Sequence, residues 1–442
     1  MMFTVPSSRL MKDVYLGLCF MMIFASKSGL DNVTKTVTTS IEKDDPSCHL
    51  DGYIMAGIGY TALSAGMWFS PAIVAAIGPK FAMVLGTITF VFFLLTMLAE
   101  QSLWIYFSTA LTGFGGSVLW TGQATYTVLN SEIGRVYRGI GVFWILYQSS
   151  HFLSNLIVYL IFNDVHRSID RSMRLQLELI LLCFNVVGVL MLFGLRPPLR
   201  SKHENAVRSP FSEILKSFKI LFSPKMMILI VSMISMGLHF AFLHILCASM
   251  GFSKYLSANS KELAPLCGLL QGIGEVFGGV SSIVIGGKTV FNLRSQMTSA
   301  VLCNILSYII VFLALPNTAP QTYTDDLPIM MLPIWVLVFG AFLSGFGDAC
   351  LQTEMYNCLG TMYPNDSPSA FAAFKFIRFT ATASGFYYSE YLGLYTQLII
   401  LITMNVISWI LYHCAQWFSI NTASKDEIQP DNVSDGRTIE TK

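Results

Sequence analysis

Ionisable side chains that lie inside long apolar stretches are the residues of this sequence best suited to chemistry. Glu275, Asp348, Lys375 and Arg378 each fall within such a stretch. A charge inside an apolar layer is costly, so groups in this position are typical of buried ion pairs, proton carriers and solute-binding sites. We therefore treat these four side chains as candidate coupling or cavity residues.

Asp348 is predicted to pair with Arg378 or Lys375. The two basic residues lie three positions apart, which places them on one face of a helix. The stretch that carries Asp348 and the stretch that follows it run in opposite directions, so Asp348 and Arg378 are expected at similar depth. Such a pair either fixes two helices together or acts as a switch that responds to a proton or a solute.

Glu275 has no basic residue obviously placed in the sequence to neutralise it. A carboxyl group in an apolar setting without a cationic partner is suited to carrying a proton or binding a cation. The alternative is a protonated side chain that forms a hydrogen bond to a neighbouring helix. Both interpretations of this residue stay open at the level of the sequence.

Two further polar groups mark faces of predicted helices. Gln148, His151 and Asn155 form a stripe in the fifth apolar stretch, which either lines a cavity or forms hydrogen bonds across helices. Asp31 lies in the polar second half of the first stretch, four residues before Lys35. That polar half indicates a cavity-lining helix or, alternatively, an early exit of the chain into a loop.

The elements that must position these residues are membrane-spanning helices. Of the 442 residues, 54% are hydrophobic and 12% are charged, whereas soluble domains carry roughly 25% charged residues. Crossing the hydrocarbon layer takes about 20 mostly apolar residues. Stretches of this kind predict twelve spans, at 13–40, 53–77, 81–99, 103–129, 140–162, 174–195, 225–250, 262–285, 295–315, 331–355, 369–390 and 394–418.

An internal repeat divides the twelve spans into two sets of six. The string GFGG at 113–116 returns as GFGD at 345–348, in spans four and ten. Two shorter echoes are IGPK at 77–80 with IGGK at 285–288, and GIG at 57–59 with GIG at 272–274. Three echoes in matching order, each six spans apart, predict the major facilitator fold, in which the solute site lies between two parallel repeats.

We therefore predict an all-α membrane protein of two six-helix bundles. The predicted parts are an N-terminal bundle at 1–195, a cytoplasmic linker at 196–224, a C-terminal bundle at 225–418 and a disordered cytoplasmic tail at 419–442. Most lysines and arginines outside the spans fall on the side of the N-terminus, which predicts that both termini are cytoplasmic. Arg167, Arg171 and Arg174 run against this bias. The sequence does not distinguish the plasma membrane from an internal membrane.

Glycines inside the predicted spans are expected to pack helices together. Gly274 and Gly278 lie four residues apart on one helix face, and Gly345 and Gly347 belong to the repeated string. Small residues in such positions let the backbones of membrane helices approach closely. A nucleotide-binding role is excluded, because the spacing misses the dinucleotide motif and no strand precedes it.

Motifs of soluble enzymes are missing from the sequence. It contains no H-E-x-x-H, no phosphate-binding loop and no G-x-S-x-G. We expect no enzymatic activity, no cofactor and no metal site. The net charge of +1 gives no reason to expect nucleic acid as a partner. The glycosylation sequon at Asn32 is predicted to lie within a helix, where modification is sterically unfavourable.

Four strings resemble the uncoordinated-93 family, in the branch that is named for its major facilitator domain. They are WTGQ at 120–123, GIGE at 272–275, GFGD at 345–348 and AFAAFKF at 370–376. The similarity extends from the first predicted span to the last. The resemblance implies a major facilitator fold, and it carries Glu275, Asp348 and Lys375 as motif positions.

The roles implied by this resemblance differ among relatives: regulating a potassium channel, chaperoning receptors through internal membranes, or transport of an unidentified substrate. We expect regulation or chaperoning of an ion channel, such as a potassium channel, or of another membrane protein. The alternative is a secondary transporter of a small molecule or ion, coupled to protons or cations. The loop AIGPKF at 76–81 lacks the Asp and Arg residues found there in many transporters, which favours the first role.

Overall fold

The computed structural model of the chain describes residues 8–130, 136–162, 169–198, 210–257, 260–285, 290–363 and 366–427. Within these residues the chain forms thirteen α-helices. Their bounds are α1 Ser8–Asp44, α2 Gly52–Ile77, α3 Pro79–Ala99, α4 Ser102–Asn130, α5 Val136–Phe162, α6 Arg171–Gly194, α7 Pro210–Leu221, α8 Pro224–Phe252, α9 Leu263–Ile285, α10 Val290–Ala314, α11 Ile334–Met362, α12 Ser367–Ser389 and α13 Leu394–Glu427.

Twelve long helices stand where twelve spans are predicted. Ten of them are long and apolar enough to cross a membrane by length and composition; α4 and α12 fall short of that measure. With 29 and 23 residues, α4 and α12 are nevertheless long enough, because a helix rises 1.5 Å per residue and the hydrocarbon layer is about 30 Å thick. Large apolar side chains such as Leu103 and Trp335 are 78% and 70% exposed on the outside of the bundle, which fits a lipid surrounding.

Three boundaries differ from the prediction. Helix α1 continues to Asp44, so the predicted alternative of an early exit into a loop is wrong. The linker contains the amphipathic helix α7, and α13 continues to Glu427, beyond the start of the tail predicted at residue 419. Parts of other predictions lie outside the described residues: the linker at 199–209, the tail at 428–442, the repeated string at 286–288 and Arg167.

Equivalent helices of the two halves pack in the same way. Helix α4 lies against α2 and α3, and α11 lies against α9 and α10. The repeated glycines make these contacts: Gly113 with Gly59, Gly115 with Gly86, Gly345 with Gln271, and Gly347 with Asn304. A Cβ atom at Gly345 would collide with the carbonyl group of Gln271, so this helix pair requires glycine. The repeat in the sequence therefore corresponds to a repeat in the packing of the helices.

The two halves meet mainly along α2 with α12 and along α5 with α9. Because the twelve spans alternate in direction, α1 begins and α13 ends at the same end of the bundle, which we call the terminal end. The opposite end, where α1 ends and α2 begins, is the distal end. There Tyr53 donates a hydrogen bond of 2.7 Å to the Pro320 carbonyl, and Lys35 Nζ lies 2.7 Å from Glu390 Oε2. Both contacts join the two halves.

Helix α7 lies at the terminal end, beside α2 and α12. The ring of Phe218 stacks on Trp68 of α2, with 4.1 Å between the ring centres. Lys216 forms an ion pair with Asp366, which directly precedes α12. The described part of the linker is thus anchored to both halves.

Two of the three arginines that run against the predicted orientation are neutralised in ion pairs. The side chain of Arg174 is fully buried, with its guanidinium 2.7 Å from Asp44 Oδ2 and 3.0 Å from Glu100 Oε1. Arg171 Nε lies 3.3 Å from the other oxygen of Glu100. These ion pairs show how the arginines are held at the distal end, but the positive-inside rule counts basic residues and not net charge, so the arginines still run against the predicted orientation. The cytoplasmic position of both termini stays a prediction.

Candidate functional site

A cavity of about 160 Å³ lies between the two halves of the protein. Helices α1 to α5 line it from the first half, and α8, α9, α11 and α12 line it from the second. The ionisable side chains of its lining are Lys27, Asp31, His151, His244, Glu275, Asp348, Lys375 and Arg378, together with the phenols Tyr60, Tyr147 and Tyr356. These side chains come from seven helices, so the tertiary structure alone brings them together.

Most of the candidate residues predicted from the sequence face this cavity. They are Asp31, Gln148, His151, Glu275, Asp348, Lys375 and Arg378. Asn155 is absent from the lining, although it belongs to the same predicted stripe as Gln148 and His151. The structure thus places the predicted polar residues of five helices around one space.

Arg378, and not Lys375, lies beside Asp348. The distance from Arg378 Nη2 to Asp348 Oδ1 is 3.6 Å, and the two side chains are 7% and 4% exposed. Arg378 Nη1 donates a hydrogen bond of 2.5 Å to Gln352 Oε1, one turn further along α11. Asp348 Oδ1 accepts no hydrogen bond from the described residues. The arginine is therefore shared between two groups of α11, and one carboxylate oxygen keeps a free lone pair.

Lys375 lies against an aromatic wall of the cavity. Its Nζ atom is 5.4 Å from the centre of the Trp120 ring, a distance at which a cation is attracted to the face of the ring. Trp120 stacks near Trp144 at 5.9 Å and meets Tyr147 edge to face at 5.1 Å. Tyr356 of the other half extends the wall, 6.2 Å from Trp144. One lysine and four aromatic rings thus form a continuous surface across the two halves.

Glu275 has a neighbour that the sequence did not indicate. His151 Nδ1 of α5 lies 4.0 Å from Glu275 Oε2, so the two form an ion pair when the imidazole is protonated. Glu275 is 4% exposed, and its Oε2 atom has no hydrogen-bond partner within the described chain. The two helices approach closely here, because Gly272 leaves room for the backbone at His151. The prediction of a carboxyl group without any basic neighbour is corrected to this extent.

Asn155 departs from the predicted stripe because it serves the contact between the halves. Its Oδ1 atom accepts a hydrogen bond of 2.9 Å from Asn32 Nδ2. The oxygen of Asn32 lies 2.6 Å from His244 Nδ1 of the second half. Asn155 also packs against Gly268, where a Cβ atom would collide with it. Asn32 is 4% exposed with both ends of its amide bonded, which agrees with the prediction that its sequon is sterically unsuited to glycosylation.

The ion pairs of α1 differ from the pair suggested by the sequence spacing. Asp31 pairs with Lys27, one turn before it, and not with Lys35. Lys35 pairs instead with Asp51 and Glu390 at the distal end. Both Lys27 and Asp31 line the cavity, so the polar half of α1 faces the interior, as the interpretation of a cavity-lining helix implies.

Several lining residues escaped the sequence analysis. His244, Lys27 and Gln352 were not among the candidates, and neither were Trp120 and Trp144. Lys27 carried a usable signal, since it lies four residues before Asp31 in the same polar half helix. Trp120 belongs to the WTGQ string that contributes to the family resemblance, and the other residues occur in apolar helices without any local pattern. Among the described residues, no group of three His, Cys, Asp or Glu side chains is arranged to hold a metal ion.

The glycines predicted to pack helices line the contact between α9 and α11. A Cβ atom at Gly274 would collide with the backbone at Phe342, and one at Gly278 would lie 2.6 Å from the Phe346 carbonyl oxygen. Gly345 lies against α9 from the other side of this contact. The close approach holds Glu275 of α9 near Asp348 of α11.

Two six-helix halves around a central cavity lined by several ionisable side chains define a membrane protein with the major facilitator fold, as predicted. A mutant of the nucleoside transporter NupG superimposes with a TM-score of 0.67 at 13% identity, covering 91% of this chain and 99% of that one. The human organic anion transporter MFSD10 (TETRAN) superimposes with a TM-score of 0.63 at 12% identity, covering 92% and 100%. At these identities the likeness concerns the fold alone.

The sequence comparisons then define the family. A family model described as "Ion channel regulatory protein UNC-93" matches residues 45–412, and the chain belongs to this family. UNC93-like protein MFSD11 of Xenopus tropicalis is 28% identical over 93% of this chain and 97% of its own length. UNC93-like protein 3 of Arabidopsis thaliana is 24% identical over 89% and 83%, and protein unc-93 homolog A of Mus musculus is 22% identical over 94% and 95%. The predicted family is confirmed.

Proposed function

We propose that the protein is a secondary transporter that binds a small solute in its central cavity. The observation that carries this proposal is the cavity itself, which Glu275 and Asp348 line; each of these two carboxyl groups also has one buried oxygen atom without a hydrogen-bond partner among the described residues. An unpartnered buried polar atom costs roughly 1–3 kcal/mol. A lining with such atoms favours a site that exchanges solute or water over a closed core.

The cavity also has the position that alternating access requires. In the major facilitator fold the solute site lies between the halves near the midplane, and the halves rock around it. Here Lys27, Asp31 and His151 come from the first half, whereas Glu275 and Arg378 come from the second. A solute bound to both sets would change its contacts when the halves move, which is the condition for coupling binding to motion.

Glu275 is the proposed proton site. It is deeply buried, and its partner His151 belongs to the other half, so rocking of the halves would change the distance of 4.0 Å between them. A carboxyl group whose neighbouring imidazole approaches and withdraws has a different environment in the two conformations, so it can take up a proton on one side of the membrane and release it on the other. This arrangement supports proton coupling.

Uptake into reconstituted vesicles tests the proposal. Vesicles that contain the purified protein should accumulate at least one solute from a broad panel under an imposed pH gradient. Glu275→Gln should abolish accumulation driven by the gradient, while exchange of solute across the membrane continues without it. Glu178→Gln is the matched control, because Glu178 is an equally buried carboxyl that lies outside the cavity. The proposal is wrong if no solute of the panel enters, or if both variants behave alike.

A second candidate function is regulation or chaperoning of an ion channel, such as a potassium channel, or of another membrane protein. The description of the family model favours it. The start of α3 favours it too, because Lys80 in its first turn donates a hydrogen bond of 2.7 Å to the Phe193 carbonyl and so serves packing within the first half. Purification in mild detergent should then recover a stoichiometric channel, whose current should change on co-expression. A monomer without a partner in every tissue would contradict this role.

A further inference from the structure

The charges that line the cavity do not balance among themselves. Lys27 pairs with Asp31, and Arg378 lies 3.6 Å from Asp348. Lys375 has no carboxylate within 4.0 Å in the part of the chain that the structure describes. It is therefore the cation of the lining that keeps its charge available for a ligand.

Glu275 is the carboxyl group of the lining that remains once Asp31 is assigned to Lys27 and Asp348 is assigned to Arg378. The groups that face it from the surrounding helices are His151 and Tyr147 of α5, Asp348 of α11 and Arg378 of α12, and His244 of α8 lines the same cavity. With a proton on Glu275, three cationic side chains face two carboxylates. One bound monoanion then restores the balance of charge in a medium where an excess charge is costly.

The aromatic wall beside Lys375 indicates what kind of anion would fit. Trp120, Trp144, Tyr147 and Tyr356 present ring faces and edges around the space next to the ammonium group. The cavity measures about 160 Å³. An engineered apolar cavity of about 150 Å³ in another protein holds benzene. The space is thus sufficient for an apolar body of the size of one aromatic ring.

We propose that the cavity binds a small organic monocarboxylate with a ring-sized apolar body, and that Lys375 binds its carboxylate. This inference rests on the proposed transport function and names the substrate class of that site. The ring of the solute packs on the aromatic wall of both halves, and the carboxylate replaces the missing partner of Lys375. Because Glu275 carries the balancing proton, the anion and the proton enter together.

Three probes that share one ring and differ in charge test this assignment. Benzoate is an anion at neutral pH, benzamide is uncharged and benzylamine is a cation. Isothermal titration of the full-length protein in detergent at neutral pH should give a Kd for benzoate about tenfold or more below those of the other two probes. Benzoate should also raise the melting temperature of the protein more than benzamide does.

Variants of Lys375 separate its charge from its packing. Lys375→Met should weaken benzoate binding about tenfold or more and leave benzamide binding unchanged, whereas Lys375→Arg should keep the preference for the anion. Lys254→Met is the matched control, because Lys254 is an exposed lysine that pairs with Asp325 far from the cavity. Its affinity for benzoate should equal that of the native protein. If Lys375→Met does not fold, Lys375→Arg and the three probes still test the assignment.

The outcomes distinguish this inference from the transport function beneath it. If benzamide or benzylamine binds more tightly than benzoate, or if Lys375→Met binds benzoate like the native protein, the anion assignment is wrong and the cavity still binds solutes. If no probe binds while vesicles accumulate another solute, the substrate class is wrong and transport stands. If no probe binds and no solute is accumulated, both proposals fail.

Discussion

The buried charge of Arg378 is held by partners on other helices. Arg378 lies between Asp348 and Gln352 of α11, and its guanidinium also lies 5.1 Å from the centre of the Phe240 ring. Such an arrangement stabilises each charge only while its partner is present. Removing one member of a buried pair leaves an uncompensated charge, at a cost of about 3–5 kcal/mol.

Asp348→Asn should therefore destabilise the protein by about 3 kcal/mol, because Arg378 loses the neighbouring negative charge. The double variant Asp348→Asn with Arg378→Gln should recover part of this loss, since neither side chain is then charged. The free energy of unfolding in mixed micelles, titrated with sodium dodecyl sulfate, measures both effects. Equal stability of Asp348→Asn and the native protein would show that the pair contributes nothing.

Glycines allow pairs of helices to pack closely at the points where their backbones are in contact. At Gly274 the backbone of α11 leaves no room for a Cβ atom, whereas at Gly279 of the same helix no described atom would lie within 4 Å of one. Both glycines lie in α9 and have the same backbone entropy. They differ only in the atoms that a Cβ atom would contact. They form a natural pair of test and control positions for the packing of α9 on α11.

Gly274→Ala should destabilise the protein by about 1–3 kcal/mol, because the added methyl group must push α11 away. Gly279→Ala should be neutral or stabilise by up to about 1 kcal/mol, since alanine favours the helix over glycine. The same micelle titration measures both variants. If the two substitutions have equal effects, close packing at Gly274 is not what holds these helices together.

At the scale of the whole molecule, the distal end is closed by a charged latch of three residues. Lys35 of α1 pairs with Asp51, which caps α2, and its Nζ lies 2.7 Å from Glu390 at the end of α12. Gln321 adds a hydrogen bond of 3.2 Å to the Glu390 carbonyl. Without the lysine, two carboxyl groups would face each other. The latch therefore favours the conformation in which the distal ends of the two halves touch.

Lys35→Gln should open the distal end, because repulsion between Asp51 and Glu390 replaces the ion pairs. Spin labels at His49 and Tyr391, both exposed near this end, report the separation by electron–electron resonance. The variant should show longer and broader distances than the native protein. The exposed Cys183 and Cys414 are first replaced.

Lys254→Gln serves as the control for the latch, since Lys254 pairs with a loop residue of its own half. Its label distances should match those of the native protein. Unchanged distances in Lys35→Gln would mean that the latch does not hold the halves.

The latch also makes stability depend on pH through Asp51. Burial raises the pKa of Asp51, but the charge of the Lys35 ammonium, the hydrogen bond that it donates and the hydrogen bond from the backbone N–H of Ile54 outweigh burial and lower that pKa. The ionised form therefore stabilises the folded state above the unfolded pKa of about 3.9, and this contribution is lost as the pH falls through the folded pKa.

Asp51→Asn should accordingly lower the melting temperature at neutral pH and reduce its further decline below about pH 4. The amide oxygen can still accept the capping hydrogen bonds from the N–H groups of Tyr53 and Ile54, so loss of charge and not loss of the cap is tested. Melting curves across acidic to neutral pH measure the effect. Asp325→Asn, in an exposed loop, is the control; a parallel decline in the native protein and Asp51→Asn would contradict the role of the charge.

The sequence by itself determined the number of long helices, their repeat and the positions of most buried charges. A membrane accepts mainly continuous apolar helices, so composition reveals them directly. A charge such as Glu275 or Asp348 stands out in an apolar stretch for the same reason. Helix α7 was missed, because its short amphipathic pattern lies in a polar linker, where apolar length gives no signal.

Only the tertiary structure decided which partner each polar residue has. Residue spacing suggested Lys35 for Asp31, yet the two belong to different ion pairs, because Lys35 lies where the distal ends meet. Asn155 forms a hydrogen bond with Asn32 one turn beyond the cavity, and Glu275 lies beside His151 of the other half. Such partners depend on the rotation and tilt of helices that are far apart in the chain, and these follow from the packing of the whole bundle and not from local spacing.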